Sequence, residues 1–386
     1  MKLLRGNGHK YTDYKSKWWF DFRRKFNGRM SRFLYMEKRD IIVIGASAGG
    51  FEAIKRFTAS LPPDLDAAIF IVWHMPADIK GILPQVLNRQ SAIFAAHAYD
   101  NEPIKTGRIY IAPPDRHLIL QKDHIRVTRG PKENGFRPAV DPLFRSAAIH
   151  FQHRVIGIVL SGALDDGTAG LWTIKQYGGI AVAQDPDEAE VPSMPENAIR
   201  QVPVDHVARI DEMAGILKKL SAEEAPSTNA NDMENNERDE KEVRIAIQDE
   251  ALEEGVMAFG ELTPFTCPEC HGVLTALRDG KLVRYRCHTG HAFSVDSLLA
   301  IITEDIEHAL WNSIRALEES VILLNHMGDH FADVNQPHLA AIYFKKANET
   351  LERSKLVRQA VLNHEKLSTD SIQDEVIVPD TNEPPQ

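Results

Sequence analysis

A single serine stands among small residues in Gly45-Ala46-Ser47-Ala48-Gly49-Gly50, directly after the apolar run Ile41-Ile42-Val43-Ile44. The spacing fits G-x-S-x-G, the pattern of a sharp strand-to-helix turn that lifts a serine hydroxyl out of a sheet. Small flanking residues let such a turn close without steric clash. The same letters half-fit a glycine loop that cradles a dinucleotide phosphate. That loop wants a second glycine where Ser47 stands, and an acidic residue ending the second strand. The second apolar run, Ile69-Phe70-Ile71-Val72-Trp73, ends instead in His74. A histidine there can act as general base for a serine, and a third group must then fix its tautomer. The run Val155–Leu160 leads into Ser161-Gly162-Ala163-Leu164-Asp165-Asp166-Gly167, which offers an aspartate at a third strand end. Alone, a histidine after a strand is more often structural, and Asp-Gly is more often a turn. Three such groups at three strand ends carry more weight, because open α/β sheets gather their sites at those ends.

The three cysteines of the chain are Cys267, Cys270 and Cys287. An odd, clustered set argues against a disulfide framework and for a reduced, intracellular site. Cys267-Pro268-Glu269-Cys270 can clamp one side of a tetrahedral metal from a tight knuckle. Cys287-His288-Thr289-Gly290-His291 can close the site, with His291 favoured as fourth ligand because three intervening residues allow a return to the metal. His288 is the rival ligand, and His271 a weaker one. Four such ligands with no open position imply a structural Zn²⁺. The bland alternative is three free buried thiols.

These groups need elements to hold them. Strands are expected at Ile41–Ile44, Ala68–Trp73, Arg108–Ile111, Val155–Leu160 and Ile180–Ala183. Helices are expected at Phe51–Ser60, Ile79–Arg89, Asp141–His150, Ala169–Tyr177 and Asp211–Leu220. Short apolar strands alternating with amphipathic helices predict an α/β fold, a doubly wound, mostly parallel sheet covered on both faces. A hairpin interrupts it at Leu118–Gln121 and Ile125–Thr128. Further on, Leu299, Ile302, Ile306, Leu310, Ile314, Leu317, Val321 and Leu324 recur at three- and four-residue steps. That stripe can bury against Leu339–Val361 across Asn335-Gln336-Pro337, either as a packing hairpin or as a partner-binding coil.

Composition bounds the rest. A chain of 386 residues, 43% hydrophobic and 26% charged, can build ordinary cores in two or three domains. Its longest apolar runs are too short to span a bilayer, so no transmembrane segment is expected. A formal net charge of −10 argues against nucleic acid as a partner of the whole chain. Residues 1–39 form a basic extension, expected to lie outside the folded unit, with Met30 or Met36 as alternative starts. Residues 223–263 form an acidic linker, expected to be flexible, in which Val243–Ile247 can pair as a short strand. The remaining boundaries are 40–222 for the α/β domain, 264–293 for a zinc-ribbon-like module, 294–366 for the helical region and 367–386 for a disordered tail.

The segment from about Asp40 to Ala222 resembles the catalytic domain of CheB, the chemotaxis protein-glutamate methylesterase. The resemblance rests on ordered blocks: Gly45–Gly50, His74-Met75-Pro76, Tyr110-Ile111-Ala112-Pro113 with His117-Leu118, Arg137–Phe144, Ser161–Gly167 and Met194–Ile199. It implies Ser47 as nucleophile, His74 as base and Asp166 as orienting aspartate. Family members commonly have methionine where Ala163 stands, at a backbone donor to the oxyanion. The implied reaction is hydrolysis of glutamate γ-methyl esters with release of methanol, with glutamine deamidation as a second activity and no catalytic cofactor. Implied partners are a methyl-accepting chemotaxis receptor and a CheR-type methyltransferase, in the cytoplasm. The cysteine block also resembles a C-terminal extension of CheB-like proteins that lack a receiver domain. The residues before Ser47 are too few for such a domain, so phosphorylation in cis is not the expected control. Two rivals stand beside the esterase: an inactive CheB-like scaffold that binds a signalling partner through its zinc and helical modules, and, more weakly, a nucleotide-binding protein.

Overall fold

The computed structural model describes residues 38–75, 82–223, 225, 236–248, 251–365, 367 and 372. The basic extension, except Lys38 and Arg39, and nearly all of the expected tail lie outside the described residues.

The α/β domain begins with β1 (Ile41–Ala46), α1 (Gly50–Ser60), β2 (Ala68–Trp73), α2 (Leu83–Leu87) and β3 (Phe94–His97). It continues through β4 (Glu102–Pro103), β5 (Arg108–Ile111), β6 (His117–Leu120), β7 (His124–Thr128), α3 (Val140–Phe151) and β8 (Val155–Val159). It closes with α4 (Thr168–Gln176), β9 (Ile180–Gln184), α5 (Ser193–Gln201), β10 (His206–Ala208) and α6 (Ile210–Ala222). Seven strands form one sheet in the order β10-β9-β8-β1-β2-β5-β3, and every recorded pairing in it is parallel. The chain steps from β1 to β2 on one side and later to β8 on the other. The C-terminal ends beside β1 are therefore the switch point where such sheets bind ligands.

The apolar runs become strands because both faces of the sheet are covered. Val43, Phe70 and Tyr110 pack on one face under Leu143 and Phe144 of α3. Ile42, Ile44, Ile69 and Ile71 pack on the other under Ile54, Phe57 and Leu217. Helix α1 buries Ala53, Ile54 and Phe57 at helical spacing and stops at Leu61, which is extended (φ −69°, ψ 135°) ahead of Pro62. The expected hairpin forms as β6 and β7, joined by β4 in a separate small sheet. Strands β3, β4 and β10 and helix α5 were not expected. They are short, and β3 and β10 lie at the two sheet edges. Of the helix expected at Ile79–Arg89, only Leu83–Leu87 is helical, and residues 79–81 lie outside the described residues.

The linker expectation needs correction. Residues 236–248 form a helix, α7 (Asn236–Gln248), so Val243–Ile247 is not a strand. Asp239, Glu242, Val243 and Ala246 recur at helical spacing and are all buried, with Val243 and Ala246 packed against Ile119 of β6. The cysteine module is a four-stranded antiparallel sheet of β11 (Glu261–Thr266), β12 (Val273–Asp279), β13 (Leu282–Cys287) and β14 (Ala292–Ser294). It leads directly into α8 (Val295–Asp333), and α9 (Pro337–Leu362) returns along it. Ala340, Ala347, Ser354 and Val361 of α9 are buried at seven-residue steps, a mostly small-residue seam. Ile314 is buried as the stripe predicts, whereas Ile302 and Ile306 face outward.

Candidate active site and cysteine cluster

Ser47, His74 and Asp166 follow β1, β2 and β8, three adjacent strands of the sheet. His74 Nδ1 lies 3.1 Å from Ser47 Oγ, and His74 Nε2 lies 2.7 Å from Asp166 Oδ2. The tautomer that satisfies both contacts carries its proton on Nε2 and donates it to Asp166. The Nδ1 lone pair is then free to accept from the serine hydroxyl.

The turn that presents Ser47 is built by its neighbours. Ser47 N–H donates to Ser161 O, Trp73 Nε1–H donates to Ser47 O, and Ser161 Oγ–H donates to Ala48 O. The positive φ of this turn falls on Gly49 (71°), while Ser47 itself keeps a negative φ. Glycine takes that conformation at no steric cost. The N–H groups of Ala48 and Ala163 have no hydrogen-bond partner among the described residues. Both lie in the loops that face the nucleophile.

Asp166 is buried and well supplied with donors. Its Oδ2 also accepts from Val140 N–H at 2.7 Å, and its Oδ1 accepts from Asn134 Nδ2 at 2.9 Å and Asp141 N–H at 3.3 Å. Burial alone would raise its carboxyl. The hydrogen bonds from His74, Val140 and Asn134 outweigh burial and hold it below the usual carboxylate range. Asp165 points elsewhere, accepting from Ser294 Oγ–H at 2.6 Å. The site thus brings Asp166, not Asp165, to the histidine.

A pocket of about 540 Å³ opens over Ser47 and His74. Phe51, Trp73, Met75 and Phe136 give it apolar walls, with Asp115, Lys132 and Arg137 at the rim. Phe136 stacks on the His74 ring, centroids 3.8 Å apart and planes 10° from parallel. Phe136 and Asn134 escaped the sequence reading. The only local signal was the dipeptide Asn134-Gly135, which marks a turn rather than a site.

The family model described as CheB methylesterase matches residues 42–217. A relative in Leptospira interrogans, provisionally named a protein-glutamate methylesterase/protein-glutamine glutaminase, is 38% identical over 182 residues. The match takes in 47% of this chain and 94% of that protein. The chain belongs to the CheB methylesterase family. Protein-glutamate methylesterase/protein-glutamine glutaminase 2 of Methanosarcina mazei is 35% identical over 190 residues, which is 47% of this chain and 52% of that protein. The Thermotoga maritima CheB methylesterase catalytic domain aligns at 34% identity and a TM-score of 0.46, covering 47% of this chain and 98% of that one.

The cysteine cluster lies beyond the CheB match. Cys267, Cys270, Cys287 and His291 place their ligand atoms within 4.8 Å of one another. Cys270 Sγ lies 3.6 Å from Cys287 Sγ, and His291 Nδ1 lies 3.7 Å and 3.6 Å from the sulfurs of Cys267 and Cys287. A tetrahedron with metal–sulfur bonds of about 2.3 Å has edges of about 3.8 Å, so the spacing suits one metal ion. His288 and His271 are exposed and outside the cluster. His271, at φ 61°, closes the first knuckle by donating its N–H to Cys267 O.

Proposed function

We propose that the chain is a protein-glutamate methylesterase that uses Ser47, His74 and Asp166 as nucleophile, base and orienting acid. The observation that carries this is the continuous hydrogen-bond chain from Ser47 Oγ through His74 to Asp166, at the floor of an open pocket. Ser47 attacks the carbonyl of a glutamyl γ-methyl ester as His74 Nδ1 takes the serine proton. The imidazolium so formed faces an ionised Asp166. The unpaired N–H groups of Ala48 and Ala163 receive the oxyanion, which needs backbone donors rather than any particular side chain at position 163. His74 then protonates the departing methoxide, and water attacks the acyl-serine with His74 again as base. The same sequence applied to a glutamine side chain releases ammonia, the second activity in the relatives' names.

The substrate is a methylated helical chemoreceptor or a related signalling protein, with a CheR-type methyltransferase as the enzyme that supplies the ester. The cytoplasm is the compartment that fits such a substrate and three unpaired thiols. Among the described residues no helix is long and apolar enough to cross a membrane. The cysteine cluster holds a structural Zn²⁺ through Cys267, Cys270, Cys287 and His291, with no open position for catalysis. Catalysis itself draws on no cofactor.

Methanol release from a γ-methyl-glutamyl receptor fragment tests the assignment. Wild type releases methanol, and Ser47→Ala reduces the rate on the order of 10⁴-fold or more. Equal release by the two proteins would overturn it.

A further inference from the structure

The loop 130–137 forms one wall of the active site and is gripped from behind by the C-terminal part of the chain. At the front, Phe136 stacks on His74 and Asn134 Nδ2 donates to Asp166 Oδ1. At the back, Asn134 N–H donates to Ala292 O at 2.7 Å, and Ala292 N–H donates to Lys132 O at 3.2 Å. Gly290 of the cysteine module leaves no room for a side chain against this loop: a Cβ built there would lie 2.6 Å from Pro131 Cγ. Glu133 pairs with Arg286 of β13 as well as Arg145 of α3.

The side chain of Asn134 is the direct link. Its Oδ1 accepts from Ser294 N–H at 2.8 Å and from Ser297 Oγ–H at 2.9 Å, both at the start of α8. Its Nδ2 donates to Asp166 Oδ1 and to Asp141 Oδ2 at 3.1 Å. Turning the amide over would set oxygen against two carboxylates and N–H against N–H. The two donors from α8 and the two aspartates therefore hold the amide in one orientation from opposite sides. Among the side-chain donors recorded for Asp166, His74 holds Oδ2 and Asn134 holds Oδ1. With the backbone N–H groups of Val140 on Oδ2 and Asp141 on Oδ1, they fix the rotation of the carboxyl plane. Without Asn134, Oδ1 keeps only the longer Asp141 contact, and the carboxyl plane can turn away from the line that Oδ2 makes to His74.

We propose that Asn134 is a positioning residue of the CheB active site, and that Ser294 and Ser297 of the C-terminal extension set it. The extension is then a working part of the esterase rather than an appendage. The proposal deepens the esterase reading and rests on it. Asn134 does not line the pocket, so it acts on turnover and not on substrate binding.

The test uses the full chain, with hydrolysis of p-nitrophenyl acetate for kcat and KM and labelling of Ser47 by a fluorophosphonate. Asn134→Asp keeps the shape, the left-handed backbone preference and the acceptor toward α8, but loses both donors and sets a further carboxylate against Asp166 and Asp141. A hydrogen bond to a charged group is worth enough that kcat falls about 10- to 100-fold, with KM within about twofold. Ser297→Ala lowers kcat several-fold and Ser297→Thr restores it. In the Asn134→Asp background Ser297→Ala lowers kcat no further, because its route runs through Asn134. Unchanged kcat in both single variants would overturn the proposal, as would a Ser297→Ala loss that persists in full in the double variant. Should Asn134→Asp not fold, Ser297→Ala and its threonine rescue decide alone. A wild type that neither hydrolyses the ester nor labels at Ser47 overturns the esterase reading, and this proposal with it. Labelled wild type with unaltered variants overturns this proposal only.

Discussion

Gly162 stands against the nucleophile. A Cβ built there would lie 2.9 Å from Ser47 Cβ and collide with the Met194 sulfur. Met194 can shift; Ser47, pinned through its own N–H and C=O, cannot do so without leaving His74. Gly162→Ala is therefore expected to fold and to lose about tenfold or more in ester hydrolysis, read as kcat with the melting temperature as control. Phe136→Ala removes the ring stacked on His74. A stacked pair is worth about 0.5–1.5 kcal/mol, so kcat should fall several-fold and the imidazole should gain mobility in ¹⁵N relaxation. At this scale the sequence was informative where chemistry coincides with a strand end. Ser47, His74 and Asp166 each follow an apolar run, and that is what exposed them. Asn134 follows no such run. Its function comes from groups that reach it across long sequence separation, Ser294 and Ser297 among them, which local pattern does not contain.

The strands and their covering helices were legible because burial on both faces enforces β-branched runs. The Ile41–Ala46 and Ala68–Trp73 pairing needed little more than that. Helix α7 was not legible as a helix because its acidic composition resembles a linker, although Asp239, Glu242, Val243 and Ala246 carried a helical period. Its buried face is ionic. Glu242 meets Arg145, Arg284 and Arg286, and Glu133 meets Arg145 and Arg286, all nearly or fully buried. Buried charges at helical spacing read as a solvated face until their partners are known. For Glu133, burial favours the neutral form, yet Arg145 and Arg286 pull its carboxyl down to about 2 from its ordinary 4.5. The unfolded chain takes up that proton first as pH falls. The stabilisation is therefore complete above about pH 4.5 and is lost as pH falls toward about 2, a change of about 3 kcal/mol. Urea midpoints measured from pH 7 downward should fall less steeply below pH 4.5 in Glu133→Gln than in wild type. The variant should also be less stable at pH 7, by about 3–5 kcal/mol, because two buried arginines lose a charge partner. Parallel acid limbs would contradict this account of the network.

At the scale of the molecule, a CheB domain and a cysteine module share one buried ionic network and one active-site loop. The α/β fold and the gathering of the cysteines into one small module were visible from strand–helix alternation and from Cys-x-x-Cys. Their docking was not, because it depends on Arg284 and Arg286 finding Glu242 and Glu133 in space. Cys287→Ser should abolish bound zinc by elemental analysis and lower the melting temperature, whereas His288→Ala should leave both unchanged. Zinc-free wild type of unchanged stability would contradict the assigned ligand set. The central claim is chemical: that the ester passes through Ser47. Rapid quenching of wild type during turnover of a γ-methyl-glutamyl peptide, followed by mass analysis of the fragment that holds Ser47, measures this most directly. An acyl adduct on Ser47 that decays as methanol accumulates is the predicted result. Methanol accumulating with no adduct, and equally in Ser47→Ala, would contradict it.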